Sequence, residues 1–260
     1  MITIHDVSHH YWLRPVLEHI HLEIETGQLV VLLGPNGSGK TTLLGCLAGT
    51  IWPVAGYVEI DGIRRRDSVE RERELRQRIA YLPDDTWLPH AHTGREFLLA
   101  VGRLYGIDDF RLFDHADRLL KLFHLEDKGD ALIEGYSTGQ RKKVALASAL
   151  ITEAPYLLLD EPFSGGLDPA GILAMKKVLK RLADDANVTV VMTAPVPELV
   201  TELAHRVAIV REGKLVTFAS PAEIVQEMCT SSFDDALQRL LYPESANVVD
   251  EYFEEVDANP

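Results

Sequence analysis

The sequence has little cysteine, and this scarcity argues against one class of protein. Two cysteines, Cys46 and Cys229, occur in 260 residues and lie far apart in the chain. Cys46 falls within a predicted helix, which suits a buried free thiol better than a disulfide. The composition therefore disfavours a disulfide-stabilised secreted domain and predicts a reducing, cytoplasmic setting.

Positive charge and long apolar runs are also scarce. Lysine and arginine together number 26 against 40 acidic residues, a net charge of −14. Proteins that bind nucleic acid generally present a basic face, so we expect no nucleic-acid partner. No stretch approaches the roughly 18 apolar residues of a membrane-spanning helix. Residues 1–6 lack the basic and apolar segments of a signal peptide, so we expect neither a signal peptide nor a membrane span.

What the sequence does contain is typical of a mixed α/β protein. Hydrophobic residues make up 46% of the chain and the mean hydropathy is −0.02, enough apolar material for a sizeable core. Across residues 93–150 the apolar spacing is mostly helical, whereas elsewhere short apolar stretches lie between turn residues. The predicted strands span residues 2–7, 19–25, 30–33, 57–60, 79–82, 156–160, 188–192, 207–210 and 214–218.

A glycine-rich loop lies between a predicted buried strand and a predicted helix. Residues 34–41 follow the phosphate-binding pattern of glycine, four residues, glycine, lysine and threonine. Glycines let backbone N–H groups surround phosphate oxygens, and a helix N-terminus attracts negative charge. Lys40 is predicted to reach the β- and γ-phosphates, and the Thr41 hydroxyl to bind Mg²⁺. The phosphate loop, with its predicted nucleotide-binding residues, comprises Gly34, Pro35, Asn36, Gly37, Ser38, Gly39, Lys40, Thr41 and Thr42.

Two acidic residues end a second apolar strand. Asp160 and Glu161 follow the leucines at 157–159, so Asp160 is predicted at the carboxyl edge of the sheet, where ligands of open α/β folds bind. In P-loop enzymes such an aspartate holds Mg²⁺, and Glu161 is placed to accept a proton from an attacking water. Strand-end acids that merely face solvent are a weaker alternative beside a phosphate loop. We call Asp160 and Glu161 the acid pair.

A third element precedes the acid-pair strand. Ser137 is followed three residues later by Gln140, the pattern of a capping box at the start of a helix. By itself this pattern predicts only a helix N-terminus. Its place is more informative, because a single amphipathic helix joins it to the strand that ends in the acid pair.

Together these elements resemble the ATP-binding subunit of an ABC transporter over about residues 1–220. The order of motifs is similar to that of the family: an aromatic (Tyr11), the phosphate loop, a Q-loop site, a signature element at residues 137–140, the acid pair, and a Gly-Leu-Asp element that ends at Asp168. The form of the helical region is more similar to exporter-type subunits than to importer-type ones.

The resemblance implies a fold class and a division of the chain. The implied fold is a P-loop NTPase α/β core with an antiparallel β edge subdomain and an inserted helical subdomain. The ATP-binding domain would span residues 1–220, with the helical insertion at about residues 84–150. Beyond the region of resemblance, the sequence itself predicts C-terminal helices and an acidic tail over residues 221–260.

The resemblance also implies how the site is completed. Two subunits, as a homodimer or a heterodimer, would pair head to tail, with ATP and Mg²⁺ between the phosphate loop of one and the signature element of the other. Tyr11 would stack on adenine, although a strand aromatic packed in the core is the alternative. The implied catalytic residues are Lys40 and Glu161, the metal ligands Thr41, Asp160 and Asp84, and the residues across the dimer interface Ser137, Gly139, Gln140 and Asp168.

A transporter of this family also needs a membrane-spanning subunit, which this sequence does not supply. We therefore expect a separate integral membrane partner, and a position in the cytoplasm on the inner face of the cell membrane. Apolar residues of the helical region such as Trp87 and Leu88 are candidates either for that interface or for the core. Neither the transported substrate nor the direction of transport is predicted.

Several positions depart from the family pattern. Asp84 replaces a glutamine, and its carboxylate can bind Mg²⁺ but cannot donate a hydrogen bond to water. Thr138 replaces the first glycine of the signature element, which restricts close backbone approach. Pro195 stands where the family has a histidine that contacts the γ-phosphate, and proline offers neither a side-chain donor nor an N–H. Residues 163–168 are one residue longer than the common form.

These departures leave competing hypotheses for function. The main hypothesis is a working ATPase that powers a transporter, because Lys40, Thr41 and the acid pair are all present. Pro195 cannot make the hydrogen bond of the family's histidine, and losing a hydrogen bond to a charged group costs about 1.5–3 kcal/mol. The second hypothesis is therefore a nucleotide-gated regulatory subunit that hydrolyses little ATP. A non-transport ATPase of DNA repair or translation is the third, and the acidic balance and the single set of motifs disfavour it.

Two further features predict sites only weakly. The arginines at residues 64–66 are compatible with an anionic partner, but the interspersed glutamates that follow favour a solvated helix face. His19 and His21 share a strand face and are candidates for a metal site. Strand histidines, however, more often lie on the surface or pack against neighbours.

Overall fold

The computed structural model describes residues 1–85, 87–186, 188–194 and 197–242 of the chain. Pro195 and the predicted acidic tail lie outside these described residues. The described part has the mixed α/β architecture that the sequence predicts. None of its helices has the length and hydropathy needed to cross a bilayer.

Every predicted strand forms, with bounds that differ from the prediction by a few residues. The strands in chain order are β1 (Ile2–Tyr11), β2 (Arg14–Ile24), β3 (Leu29–Leu33), β4 (Ala55–Ile60), β5 (Ile63–Arg64), β6 (Ile79–Leu82), β7 (Tyr156–Leu159), β8 (Thr189–Thr193), β9 (Arg206–Arg211) and β10 (Lys214–Ala219). The helices are α1 (Lys40–Ala48), α2 (Val69–Arg78), α3 (Gly94–Leu104), α4 (Asp109–Leu122), α5 (Thr138–Leu150), α6 (Pro169–Ala186), α7 (Pro197–Leu203), α8 (Pro221–Glu227) and α9 (Phe233–Leu241).

The first sheet is antiparallel, in the order β2-β1-β4-β5. Asp61 and Gly62 join β4 to β5 with φ of +51° and +76°, as in the type I′ turns that suit the twist of a hairpin. The hairpin predicted at this point is therefore confirmed. Ile2 and Ile4 of β1 are buried on one face of the sheet, which matches the alternation in the sequence.

The second sheet carries the strands that precede the predicted site. Its order is β10-β9-β3-β8-β7-β6, and all neighbouring strands run parallel except the edge pair β9 and β10. Leu159 at the end of β7 pairs with Leu82 of β6 on one side and with Met192 of β8 on the other. The carboxyl ends of these strands therefore meet at one edge of the sheet.

Strand β3 lies between two apolar cores, and its side chains alternate between them. Leu29, Val31 and Leu33 pack in the core that includes the helical region, whereas Val30 and Leu32 pack with α1 and the first sheet. All five are nearly or completely buried, which explains why the sequence of β3 reads as a continuous apolar run. The helices that follow residue 220 pack in the first of these cores through Ile224, Phe233, Ala236 and Leu237.

Capping side chains define where the helices of the inserted region begin. Thr93 precedes α3 and exchanges hydrogen bonds with Glu96 in a capping box. Ser137 and Gln140 form the capping box of α5, so that prediction is confirmed. Such a box satisfies two of the N–H groups that a helix N-terminus leaves unpaired.

The expectation that the arginines at residues 64–66 lie on a solvated helix face is wrong in part. Arg64 belongs to β5, and Arg65 is buried, where its guanidinium binds Glu72 at 2.7 Å and the carbonyl oxygen of Leu47 at 2.8 Å. The solvated helix face begins only at α2. A buried guanidinium is costly unless it is paired, and here Glu72 supplies the opposite charge. Of the two apolar candidates for the interface or the core, Leu88 is buried in the core and Trp87 is 79% exposed.

The histidine pair on the first sheet contacts a carboxylate. Asp6 Oδ1 lies 2.8 Å from His19 Nδ1 and 3.2 Å from His21 Nε2, and all three side chains are exposed. The hydrogen bond with His19 holds the pKa of Asp6 below its usual range. Among the described residues, no group of three or more His, Cys, Asp or Glu side chains is arranged to hold a metal ion.

We predict that the two cysteines differ sharply in reactivity. Cys46 is buried in α1, where burial raises its pKa to about 12, whereas Cys229 is exposed. At pH 8 the thiolate fraction of a group with that pKa is about one in ten thousand. A colorimetric thiol reagent should therefore modify one thiol rapidly in the native protein and both after unfolding. The Cys229→Ser variant should lose the rapid phase, and a rapid phase that persists in this variant would contradict the burial of Cys46.

Candidate active site

The phosphate loop connects β3 to α1 and passes close to two other strands. A Cβ added at Gly34 would lie 1.9 Å from the carbonyl oxygen of Val210, near the end of β9. At Gly39, which has φ of +104°, an added Cβ would lie 2.6 Å from the carbonyl oxygen of Val16 in β2. Because Cβ atoms do not approach backbone oxygens this closely, only glycine lets the loop take this path.

Lys40 is the first residue of α1, and its side chain returns to the loop. Its Nζ donates hydrogen bonds to the carbonyl oxygens of Gly34 at 2.8 Å and Pro35 at 2.9 Å. Burial lowers the pKa of this ammonium, and the carboxylates of Glu161 and Asp160 partly oppose the shift. The cation of the loop and the acid pair therefore share one electrostatic environment.

The N-terminus of α1 presents polar groups that need partners. Gly39 occupies the N-cap without a capping side chain, and the first turn holds no acidic residue. Ser38 is 4% exposed, and its Oγ has no hydrogen-bond partner within the described ranges. The first turn of α1 also leaves backbone N–H groups without partners in the helix. Oxygens of an anion would satisfy both kinds of donor.

Asp160 follows β7 at the same sheet edge as the phosphate loop. Its backbone N–H donates to the carbonyl oxygen of Leu82 at 2.8 Å, and the residue is 2% exposed. Thr193, the last residue of β8, donates from Oγ1 to Asp160 Oδ1 at 2.7 Å. The same hydroxyl oxygen accepts the backbone N–H of Glu161 at 2.7 Å. A hydroxyl from the neighbouring strand thus joins the two acids.

The signature element forms the first turn of α5. Gln140 N–H donates to Ser137 Oγ at 3.3 Å, and Ser137 N–H donates to Gln140 Oε1 at 2.9 Å. A Cβ added at Gly139 would lie 2.6 Å from the carbonyl oxygen of Gly166. The longer loop of the same chain therefore lies against the glycine of the signature element.

Asp168 directly precedes α6 and is tied to α5. Lys143 Nζ donates to Asp168 Oδ2 at 2.8 Å, and the N–H of Gly171 donates to Oδ1 at 2.7 Å. The Lys143 hydrogen bond and then the Gly171 hydrogen bond hold the pKa of this carboxyl below its usual range. Lys143 is buried, so the contact is anchored in the protein interior.

Asp84 bridges three parts of the site. Its Oδ1 lies 3.0 Å from Ser164 Oγ and 3.5 Å from Lys142 Nζ. Ser164 Oγ also lies 2.9 Å from the carbonyl oxygen of Glu161. Lys142 is buried in α5, so Asp84 links the segment after β6 both to α5 and to the loop that follows the acid pair.

Seven of the residues predicted to meet a ligand or a second subunit are exposed, and several others are partly exposed. The exposed ones are Tyr11, Asn36, Gly37, Thr41, Asp84, Ser137 and Asp168. Tyr11 is 49% exposed at the end of β1, so the alternative that it packs in the core is wrong. Within the described residues, no hydrogen bond or ion pair joins the signature element to the phosphate loop of the same chain.

Four polar side chains of this site are absent from the sequence-based prediction: Lys142, Lys143, Ser164 and Thr193. Lys142 and Lys143 are buried in a helix whose other buried residues are mostly apolar. Two consecutive charges beside the signature element were the sequence feature from which their role could have been predicted. Thr193 offered a weaker signal, since it is a polar residue at the end of an apolar strand.

Comparison with known proteins agrees with these motifs. The sequence model of the family described as ABC transporter matches residues 17–164, more than half of the chain. The chain is 33% identical over 237 residues to the daunorubicin resistance ATP-binding protein DrrA3 of Streptomyces coeruleorubidus, covering 91% of this chain and 73% of that protein. It is 31% identical over 232 residues to the lipopolysaccharide export system ATP-binding protein LptB of Escherichia coli K12, covering 87% and 93% respectively.

Solved structures show the same fold. One described as an ATP-binding subunit of an ABC transporter superposes with a TM-score of 0.86 at 25% identity, covering 92% of this chain and 99% of that one. A dimeric ATP-binding cassette in a post-hydrolysis state, bound to ADP and Pi, superposes with a TM-score of 0.77 at 25% identity, covering 85% and 98%. Motif order, fold and sequence matches agree: the chain belongs to the ABC transporter family, as one of its ATP-binding subunits.

Proposed function

We propose that this chain binds ATP with Mg²⁺ at the phosphate loop and hydrolyses it at the acid pair, to power a separate membrane-spanning transporter subunit. The observation that carries this proposal is the placement of the phosphate loop after β3 and of the acid pair after β7 at the carboxyl edge of the parallel strands of one sheet. Lys40 is held at this loop by the carbonyl oxygens of Gly34 and Pro35. Open α/β folds bind their ligands at this edge.

The phosphate loop supplies the groups that would hold the phosphates. Its backbone can surround an anion because glycine occupies the close approaches at Gly34 and Gly39. The buried Ser38 hydroxyl and the uncapped N-terminus of α1 would receive phosphate oxygens as hydrogen-bond acceptors. Lys40 would exchange its contacts to the loop carbonyls for the β- and γ-phosphates. The half-exposed Tyr11 would stack on adenine.

Metal binding would fall to oxygen donors at the same edge. Bound Mg²⁺ neutralises phosphate charge and orients the phosphates for attack. Thr41 at the start of α1 and Asp160 after β7 present hydroxyl and carboxylate oxygens, the donor types that Mg²⁺ prefers. Asp84 could contribute a third oxygen, but it would first have to release Ser164 and Lys142.

Glu161 is the residue proposed to accept a proton from the attacking water. It follows the metal-binding aspartate directly, is partly exposed, and adopts φ of +44°, a conformation that is uncommon for glutamate. Its backbone N–H is fixed by Thr193, so the direction in which its side chain leaves the backbone is constrained. Catalysis by a positioned base of this kind contributes typically 10²- to 10⁴-fold.

A second subunit would complete the site through its signature element. Ser137 is exposed at the positive end of α5, the first turn of which holds no acidic residue, and a helix N-terminus favours a phosphate. Gly139, Gln140 and Asp168 would lie at the same interface. We place this dimer, homomeric or heteromeric, in the cytoplasm on the inner face of the membrane, next to its integral membrane partner. Exporter-type function stays a prediction.

We predict that Glu161→Gln abolishes turnover but not binding. Steady-state ATP hydrolysis should fall at least about 100-fold because the amide cannot accept the proton, while ATP affinity should change less than about threefold. Glu153→Gln is a matched control, because Glu153 also has positive φ and precedes the same strand β7. Equal turnover in the parent and Glu161→Gln would contradict the proposed role.

A second prediction separates the working ATPase from the regulatory alternative. Pro195→His adds the side-chain donor that the sequence lacks, and turnover should rise by about 10- to 100-fold if that donor limits the reaction. Pro195→Ala is the control, since it removes the proline without adding a donor. Fast hydrolysis by the parent chain excludes the regulatory alternative. An unchanged rate in Pro195→His would show that another group performs the role of the histidine.

A third prediction compares two glycines of the phosphate loop. Gly34→Ala should abolish detectable ATP binding, because its Cβ would collide with the Val210 carbonyl oxygen at 1.9 Å. Gly37→Ala meets no atom within 4 Å and bears only the strain of φ at +78°, about 1–2 kcal/mol. Titration with a fluorescent ATP analogue, beside thermal unfolding of each variant, measures the difference. Equal affinities would contradict the proposed path of the loop.

A further inference from the structure

The end of β8 lies directly beside the end of β7. Met192 pairs with Leu159 in parallel register, so Thr193 and Asp160 are the next residues along the two strands. Thr193 is 1% exposed. Its side chain therefore has no access to water, and its hydrogen-bonding groups must be satisfied inside the protein.

The Thr193 hydroxyl is shared between the two residues of the acid pair. It donates its proton to Asp160 Oδ1 and accepts the N–H of Glu161, each at 2.7 Å. A hydroxyl has one proton to donate and lone pairs to accept, so both contacts can be made at once. The hydrogen bond to the Asp160 carboxylate is charge-assisted, the stronger class of hydrogen bond.

The backbone of Glu161 needs such a support. Its φ of +44° lies in the left-handed region, where a side chain with a Cβ is strained. A strained residue persists only when its surroundings hold it in place. The N–H that Thr193 accepts belongs to this residue itself, so the bond acts directly on the strained backbone.

The neighbours of Thr193 offer no replacement for its hydroxyl. Met192 and Ala194 have apolar side chains, and Pro195 has neither a polar side chain nor a backbone N–H. Within residues 188–194, Thr189 carries the other hydroxyl, but it lies at the opposite end of β8 and accepts the N–H of Gly27.

We propose that Thr193 is a positioning residue for ATP hydrolysis, which orients the Asp160 carboxylate and holds the backbone from which the Glu161 side chain extends. The proposal rests on the hydrolytic function proposed above. The hydroxyl touches neither nucleotide nor water in this role and acts through the two acids. Among the described residues of β8, Thr193 is the one whose polar side chain contacts the acid pair.

The test compares Thr193→Val with Thr193→Ser in the full-length chain. Valine keeps the branched shape and removes the hydroxyl, whereas serine keeps the hydroxyl and removes a methyl group. In Thr193→Val, kcat should fall about 10- to 100-fold with KM for ATP within about threefold, and Thr193→Ser should stay within about threefold of the parent. Thermal unfolding checks that each variant folds, and Thr193→Ala is a second hydroxyl-free variant if valine is not accommodated.

A readout without turnover tests the orientation of Asp160 separately. The affinity of a non-hydrolysable ATP analogue is measured across a Mg²⁺ titration and in EDTA. Thr193→Val should need about tenfold more Mg²⁺ to reach the parent affinity, with the EDTA value unchanged, and Thr193→Ser should match the parent.

The outcomes distinguish the two proposals. If the parent chain does not hydrolyse ATP, the hydrolytic function fails, and the Mg²⁺ titration still decides whether Thr193 orients Asp160. Parent-like kcat and parent-like Mg²⁺ dependence in Thr193→Val would overturn the positioning role. Equal losses in Thr193→Val and Thr193→Ser would overturn it as well, because they would point to packing and not to the hydroxyl.

Discussion

The parallel pairing of β3, β7 and β8 is the constraint on which the site depends. It brings the phosphate loop, the acid pair and Thr193 to one edge of the sheet. A slip of one residue would turn every side chain of a strand to the opposite face. Alternate residues of β3 pack in two different cores. Such a slip would therefore move each β3 side chain from its own core into the other one. Burial on two faces therefore specifies the register, and the register places the chemical groups.

Two charged groups at this edge, the partly buried Lys40 and the buried Asp160, are held by hydrogen-bond partners. Lys40 binds two carbonyl oxygens of the phosphate loop, and Asp160 accepts the hydroxyl of Thr193. A buried charge without such partners is costly, and the same low dielectric strengthens the bonds that are made. The arrangement keeps donors and acceptors oriented before a ligand arrives, which is the basis of electrostatic catalysis.

Two departures from the family pattern, Asp84 and the longer loop at residues 163–168, are far apart in the sequence but in contact in the structure. Asp84, which replaces a glutamine, contacts Ser164 at the start of the longer loop and Lys142 in α5. The same loop places Gly166 against Gly139 and ends at Asp168, which binds Lys143. The substitution and the extra residue thus belong to one set of contacts between the loop and α5. Any movement of Asp84 toward a metal would have to exchange those contacts.

The sequence by itself determined the local features of this protein: the strands, the hairpin at Asp61 and Gly62, the capping box at Ser137, and the phosphate-loop pattern. These features depend on turn chemistry, apolar alternation and capping, all of which act over a few residues. Only the tertiary structure decided that Arg65 and Leu88 are buried, that Lys142 and Lys143 anchor carboxylates, and that Thr193 joins the acid pair. The physical reason is that each of these contacts joins residues distant in the chain, through strand pairing or helix packing that short-range patterns do not encode.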